Sequence, residues 1–209
     1  MIGRNILESR GILRLTYRVL KSPRKKDLLA LLAGADRRSI GRADEVSGMV
    51  LKRPALFPEL MAGLWNADPV VRMRAADVAE KVSRKQPELL QPFKAELLGL
   101  LREASEQELR WHLAQMVPRL LLTQLDRMRV ASVLKSYLED RSSIVKTFAM
   151  QALADLASDD TTLLPETVEL VHQLTRSGTP AMRARGRKLL AQLGRVESKT
   201  RNVEGSGSE

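Results

Sequence analysis

The chain of 209 residues contains no cysteine, which excludes disulfides, zinc–thiolate sites and cysteine nucleophiles together. It has only two histidines, His112 and His172, 60 positions apart, so no histidine metal site is expected. Aromatic residues make up 3% of the sequence, a composition suited to helices packed through small and aliphatic side chains. No apolar run approaches the roughly 18–20 residues that a membrane span needs. Arg10, Arg14 and Arg18 interrupt the N-terminal region before a signal-peptide core can form. A cytoplasmic protein is therefore expected. The glycines are scattered and none precedes a Lys-Ser/Thr pair, so no phosphate-cradling loop is present.

What is there begins with charge. The formal net charge is +10, but it is unevenly spread. Residues 1–26 hold eight Lys/Arg and one acid, Glu8, whereas the remaining 183 residues hold 27 basic and 24 acidic side chains. A basic arm on a nearly neutral body calls for an anionic partner, whether nucleic acid, a membrane surface or an acidic protein patch. The hydrophobic fraction of 44% is that of an ordinary globular chain.

From about residue 26 onward, helical patterns alternate with short breaks. The segments KDLLALLAG, FPELMAGLW, PELLQPFKAELLGLLRE, RVASVLKSYLED and LPETVELVHQLTRSG each open a unit, and a second apolar helix follows each. In the second helices, positions n, n+4, n+7 and n+11 share one helical face. They read Val71, Ala75, Val78, Val82; Leu109, Leu113, Met116, Leu120; Val145, Ala149, Ala152, Leu156; and Met182, Gly186, Leu189, Leu193. The offsets are 38, 36 and 37 residues, and all sixteen positions are apolar or glycine. A shorter first unit places Ala43, Val46 and Val50 in the same register. Such helical pairs cannot bury their apolar faces alone, and stacking buries them in a continuous core.

The stretch LEDRSSIVKTFAMQALADLA, with Asp140 in the turn and Val145-Lys146 opening the second helix, resembles the second half of a HEAT repeat. NADPVVRMRAA is similar, with Asn66 in the Asp position before Val71-Arg72. SGTPAMRARG and EASEQELRWHLA depart further, with Ser177 and Ala104 where the Asp should stand. The resemblance spans residues 26–194 and implies an all-α fold, a right-handed α-α superhelix of about five HEAT-like helix pairs. It also implies that Arg72, Arg110, Lys146 and Arg183 are structural rungs, bonded to the turn's acid or to the neighbouring repeat.

Arg74 belongs to a different column, which reads Arg42, Arg74, His112, Phe148, Arg185. It lies about 70° from the centre of the buried stripe, on a flank where the stem covers the core and the head reaches water. Either Arg74 is a solvated flank, or Arg42, Arg74 and Arg185 form an interrupted track for phosphates. Opposite the stripe, Met73, Trp111, Gln115, Leu122 and Gln151 are expected to face the concave groove and to contact a partner. Trp111 is read either as exposed in that groove or as turned into the core by a kink at Pro118.

WHLAQ also resembles an arrangement in the bacterial alkylpurine DNA glycosylases, HEAT-like solenoids that carry a tryptophan and, one helical turn later, a catalytic aspartate. Here that later residue is Gln115, whose amide cannot stabilise an oxocarbenium-like sugar. Glu45, Asp77 and Glu80 read as surface pairs with neighbouring bases, and Asp159-Asp160 as a cap for the next helix. No nucleophile–base–orienter set emerges. The expected function is a non-catalytic binding or scaffold module with no cofactor and no small-molecule substrate, engaging a protein, possibly acidic, through its concave face. The alternative is a nucleic-acid-binding solenoid that uses Arg10, Arg14, Arg18, Arg42, Arg74 and Arg185. Residues 1–25 are expected to form a basic helix that caps the stack or, as the less favoured role, rests on an anionic surface such as lipid. Residues 195–209 are expected to be a disordered polar tail.

Overall fold

A computed structural model describes residues 27–34 and 39–205. The basic arm over residues 1–25, with Arg10, Arg14 and Arg18, lies outside the described residues. Among the described residues every regular element is helical. Nine α-helices are joined by short turns: α1 (Ala43–Lys52), α2 (Phe57–Ala62), α3 (Pro69–Ser83), α4 (Lys94–Glu103), α5 (Gln107–Met116), α6 (Gln124–Tyr137), α7 (Ser143–Asp159), α8 (Leu164–Ser177) and α9 (Pro180–Gly205). In place of a first helix, the segment DLLALLAG forms one 3-10 turn, Leu29–Leu31, flanked by buried Leu28 and Leu32.

Local chemistry sets the boundaries. Asp68 and Ser142 accept backbone N–H groups at the starts of α3 and α7. Thr123 and Asp126 close a reciprocal capping box at the start of α6. Asp160 caps the 3-10 turn Thr161–Leu163 that leads into α8. Pro118 cannot donate to the carbonyl one turn back, so α5 stops at Met116 and the chain continues as the 3-10 turn Val117–Arg119. The last helix differs from expectation. Instead of dissolving after Arg195, it runs to Gly205. No proline interrupts residues 195–205, Ser198 bonds the carbonyl of Gly194, and Val196 packs on the core, so the helix has no reason to stop earlier.

Helices α2 and α3, α4 and α5, α6 and α7, and α8 and α9 pack as neighbours in sequence. The longer-range packing joins α1 to α3, α3 to α5, α5 to α7 and α7 to α9. All sixteen positions of the repeating stripe are buried, as are Ala43, Val46 and Val50. At the last pair the approach is closest at Gly186, where an added Cβ would fall 1.9 Å from Thr175 Oγ1.

Ion pairs tie the turns together, but not within each turn. Arg72 donates to the carbonyls of Asn66 and Ala67 in its own turn and pairs with Glu106 at the start of α5. Arg110 repeats the pattern one unit later. It donates to the carbonyl of Ala104, pairs with Asp140 in the next turn, and sits 5.0 Å over the ring of Tyr137. Tyr137 in turn donates to the carbonyl of Leu101, and burial pushes its phenol up to about 12. Lys146 makes no ion pair with Asp140, whose carboxylate is taken by Arg110 and by the N–H of Ser142. The rung therefore crosses from one helix pair to the next.

Arg110→Ala should cost about 2–3 kcal/mol, because it strands a carbonyl and a largely buried carboxylate. Lys146→Ala should change stability by less than about 0.5 kcal/mol. Urea denaturation of the two variants checks the contrast. Equal losses would argue against a rung that crosses between pairs.

Candidate functional site

Four alternate helices border an open cleft of about 610 Å³. Helix α3 contributes Glu80 and Arg84, and α5 with its following turn contributes Ala114, Gln115, Pro118 and Arg119. Helix α7 contributes Phe148, Gln151 and Asp155, and α9 contributes Arg185. The volume lies within the usual range for small-molecule pockets. The lining mixes charged, amide and apolar side chains.

Glu80 anchors one wall. Its carboxylate is 2% exposed and takes Arg84 through both oxygens and Arg119 through Oε1 at 2.6 Å. Arg119 also donates to the Glu80 carbonyl and to Ser83 Oγ. Burial works to raise the Glu80 pKa, but the bonds and charges of Arg119 and Arg84 outweigh it and hold the carboxyl below its ordinary value.

The other wall is a chain of amides. Arg185 Nη1 donates to Gln151 Oε1 at 2.7 Å, and Gln151 Nε2 donates to Asp155 Oδ1 at 2.8 Å. Gln192 Nε2 reaches the same Oδ1 at 3.5 Å and Ser158 Oγ at 3.1 Å. Among the described residues no guanidinium forms an ion pair with Asp155, and burial raises its pKa above the ordinary carboxyl value despite the two amides.

Of the five side chains expected in the groove, only Gln115 and Gln151 line this cleft. Met73, Trp111 and Leu122 are half-buried outside it, and Trp111 packs on the core with its ring 5.6 Å from that of His112. Trp65 is the more exposed of the two tryptophans.

The arginine column scatters. Arg42 is exposed and pairs with Glu45 on its own helix. Arg185 lines the cleft. Arg74 corrects the reading of a solvated flank. It is 3% exposed and donates to the carbonyls of Leu32, Ala33 and Ser39. Those carbonyls belong to the non-helical segment before α1, which lies over this side of α3. Its turns bend at Gly34 and Gly41, whose φ values of 147° and 55° favour glycine and whose Cα atoms lie against the guanidinium. The three arginines form no track for phosphates.

Sequence reading missed Asp155 and Arg119 altogether and took Glu80 for a surface pair. The available signal was spacing: Arg119 lies 39 residues after Glu80, about one repeat. Among the described residues no group of three metal-binding side chains assembles, and no helix is long and apolar enough to cross a membrane. No family model matches the chain, and no curated protein matches its sequence.

Arg74→Ala should cost about 2–3 kcal/mol, since it leaves buried carbonyls without donors. Hydrogen exchange should show the loss concentrated in residues 27–34 and 39–42, and uniform protection there would contradict the clamp. His112 provides a pH test. Burial, opposed by Asp77 and Glu80, holds its imidazole down to about 4. Above the unfolded value near 6.5 the folded and unfolded states are both neutral. As pH falls below it, the unfolded chain gains a proton that the fold resists, and stability drops by about 2 kcal/mol by pH 5. Denaturation at pH 7 and pH 5 should show this drop shrink in His112→Gln.

Proposed function

We propose that the chain is a HEAT-like α-solenoid of about five helix pairs, in a right-handed superhelix, and that it serves as a non-catalytic binding module for a protein segment. The observation that carries the reading is the cleft, built by four consecutive second helices and lined by side chains from equivalent or adjacent repeat positions. The 36–38-residue spacing, the burial of the whole stripe and the packing of each second helix on the next support the repeat architecture.

The electrostatics favour protein over nucleic acid at this site. A phosphate backbone needs unoccupied cations along a track. Here Arg84 and Arg119 are engaged by Glu80, Arg74 is buried, and Asp155 adds a second carboxyl. The amides of Gln115 and Gln151 suit a peptide backbone. Gln115 donates to the carbonyl of Trp111 and offers no acid for glycosidic cleavage.

A photo-crosslinking residue at Gln115 should attach to a protein partner in lysate, whereas one at exposed Glu139 should not. Equal labelling from both positions would count against the cleft. The basic arm is tested separately in the full-length chain with Arg10, Arg14 and Arg18 changed to Gln. If the arm carries nucleic-acid binding, duplex affinity should fall steeply with salt, and the triple change should reduce the log–log slope by up to about 3. Release of alkylated bases from DNA above the spontaneous rate would overturn the non-catalytic reading.

A further inference from the structure

Building on the cleft as a protein-binding face, we propose that it receives an acidic peptide segment. In this arrangement Arg185 takes a Glu or Asp side chain, and a neighbouring apolar residue of the ligand rests on Phe148 and Pro118.

The cleft carries three guanidinium groups, from Arg84, Arg119 and Arg185, and two carboxyl groups, from Glu80 and Asp155. Glu80 alone takes two of the cations, which leaves one positive charge in excess around it. Arg185 is half-buried, and its one hydrogen bond among the described residues goes to the neutral amide oxygen of Gln151. An amide dipole orients a guanidinium without neutralising it. Nε and Nη2 of Arg185 make no hydrogen bond among the described residues, so two donors of its planar fork remain for a ligand. That geometry matches a carboxylate bound through both oxygens.

The remaining lining narrows the ligand. Glu80 and Asp155 oppose a chain of closely spaced phosphates, whereas an isolated carboxylate meets a net positive site. Phe148, Pro118 and Ala114 supply apolar surface beside Arg185 and Gln115. A segment alternating acidic and apolar residues satisfies both. Asp155 sets the limit on affinity, because its charge lies one amide away from the receptor cation.

The test uses a fluorescein-labelled peptide with a central Leu-Glu-Leu, its Leu-Gln-Leu counterpart and inorganic phosphate as competitor. Binding to the full chain is read by anisotropy, with side-chain amide NMR shifts at Gln115 and Gln151. The Glu peptide should bind about tenfold more tightly than the Gln peptide, a difference of about 1.4 kcal/mol. Arg185→Gln should abolish that preference. Asp155→Asn, which keeps an acceptor for Gln151, should tighten the Glu peptide and leave the Gln peptide unchanged. Equal affinities for both peptides, with shifts at Gln115 and Gln151, would overturn the anion receptor and spare the cleft as a binding face. Failure of the Glu peptide to bind would also overturn the receptor, and the crosslink at Gln115 would then decide separately on the cleft. Phosphate displacing the peptide at equal concentration would replace the acidic segment with a simple anion.

Discussion

The rest of the structure depends on arginines that reach forward from one helix pair to the next. A tight inter-helix turn leaves backbone carbonyls without helical partners. Arg72 and Arg110 each satisfy such carbonyls in their own turn, and each then places its remaining donors on an acid of the following turn. One side chain thus fixes the shape of a turn and its distance from the next. Salt bridges on open surfaces contribute little. These differ because the same guanidinium also serves partly buried backbone carbonyls, of Asn66 and of Ala104, and Arg110 covers the Tyr137 ring as well. Where the rung is missing, at Lys146, the final pair is held to the one before it by apolar packing, by Lys135 on Glu166 and Arg127 on Asp160, and by Arg185 and Gln192 on α7.

Much of this was legible from the sequence, because a helical repeat writes its core at fixed intervals. Sixteen stripe positions could be named before any coordinates, since burial at 3.6-residue periodicity depends only on local geometry and stacking. Arg72 and Arg110 could be named as rungs for the same reason. Their partners could not. Glu106 stands two residues beyond the position where an acid was sought, and its longer side chain covers the difference. The resemblance leaves each rung a choice between the acid of its own turn and the neighbouring repeat, and Asp140, in the turn of Lys146, is taken by the preceding Arg110.

Arg74 shows a second kind of limit. Its column contains an arginine, a histidine, a phenylalanine and another arginine in the four complete repeats, and periodicity alone gives them one environment. Their neighbours give them different ones. Arg74 is covered by the segment before α1, His112 is buried beside Trp111, and Phe148 and Arg185 open onto the cleft. A charge on a flank reads as solvated until a non-helical stretch with open carbonyls is laid across it, and where such a stretch lies is a tertiary fact. Of the groove-facing set Gln115 and Gln151 do line the cleft, whereas Met73, Trp111 and Leu122 lie outside it, and Asp155 and Arg119 belong to a column that the expectation leaves out.

The lining of the cleft draws on another column, ten residues after the start of each stripe. It reads Lys81, Arg119, Asp155 and Gln192. Lys81 reaches back to Asp44 on α1, Arg119 reaches back to Glu80 on α3, and Gln192 reaches back to Asp155 on α7. Each donor closes the gap to the preceding helix. Asp155 is the exception, since a carboxylate cannot donate. Among the described residues Asp155 therefore makes no backward tie, although α5 and α7 still pack against each other, and burial raises the pKa of the carboxyl it places in the cleft. A single acid in a column of donors thus gives the cleft its second carboxyl beside Glu80 and an acceptor for the amides of Gln151 and Gln192.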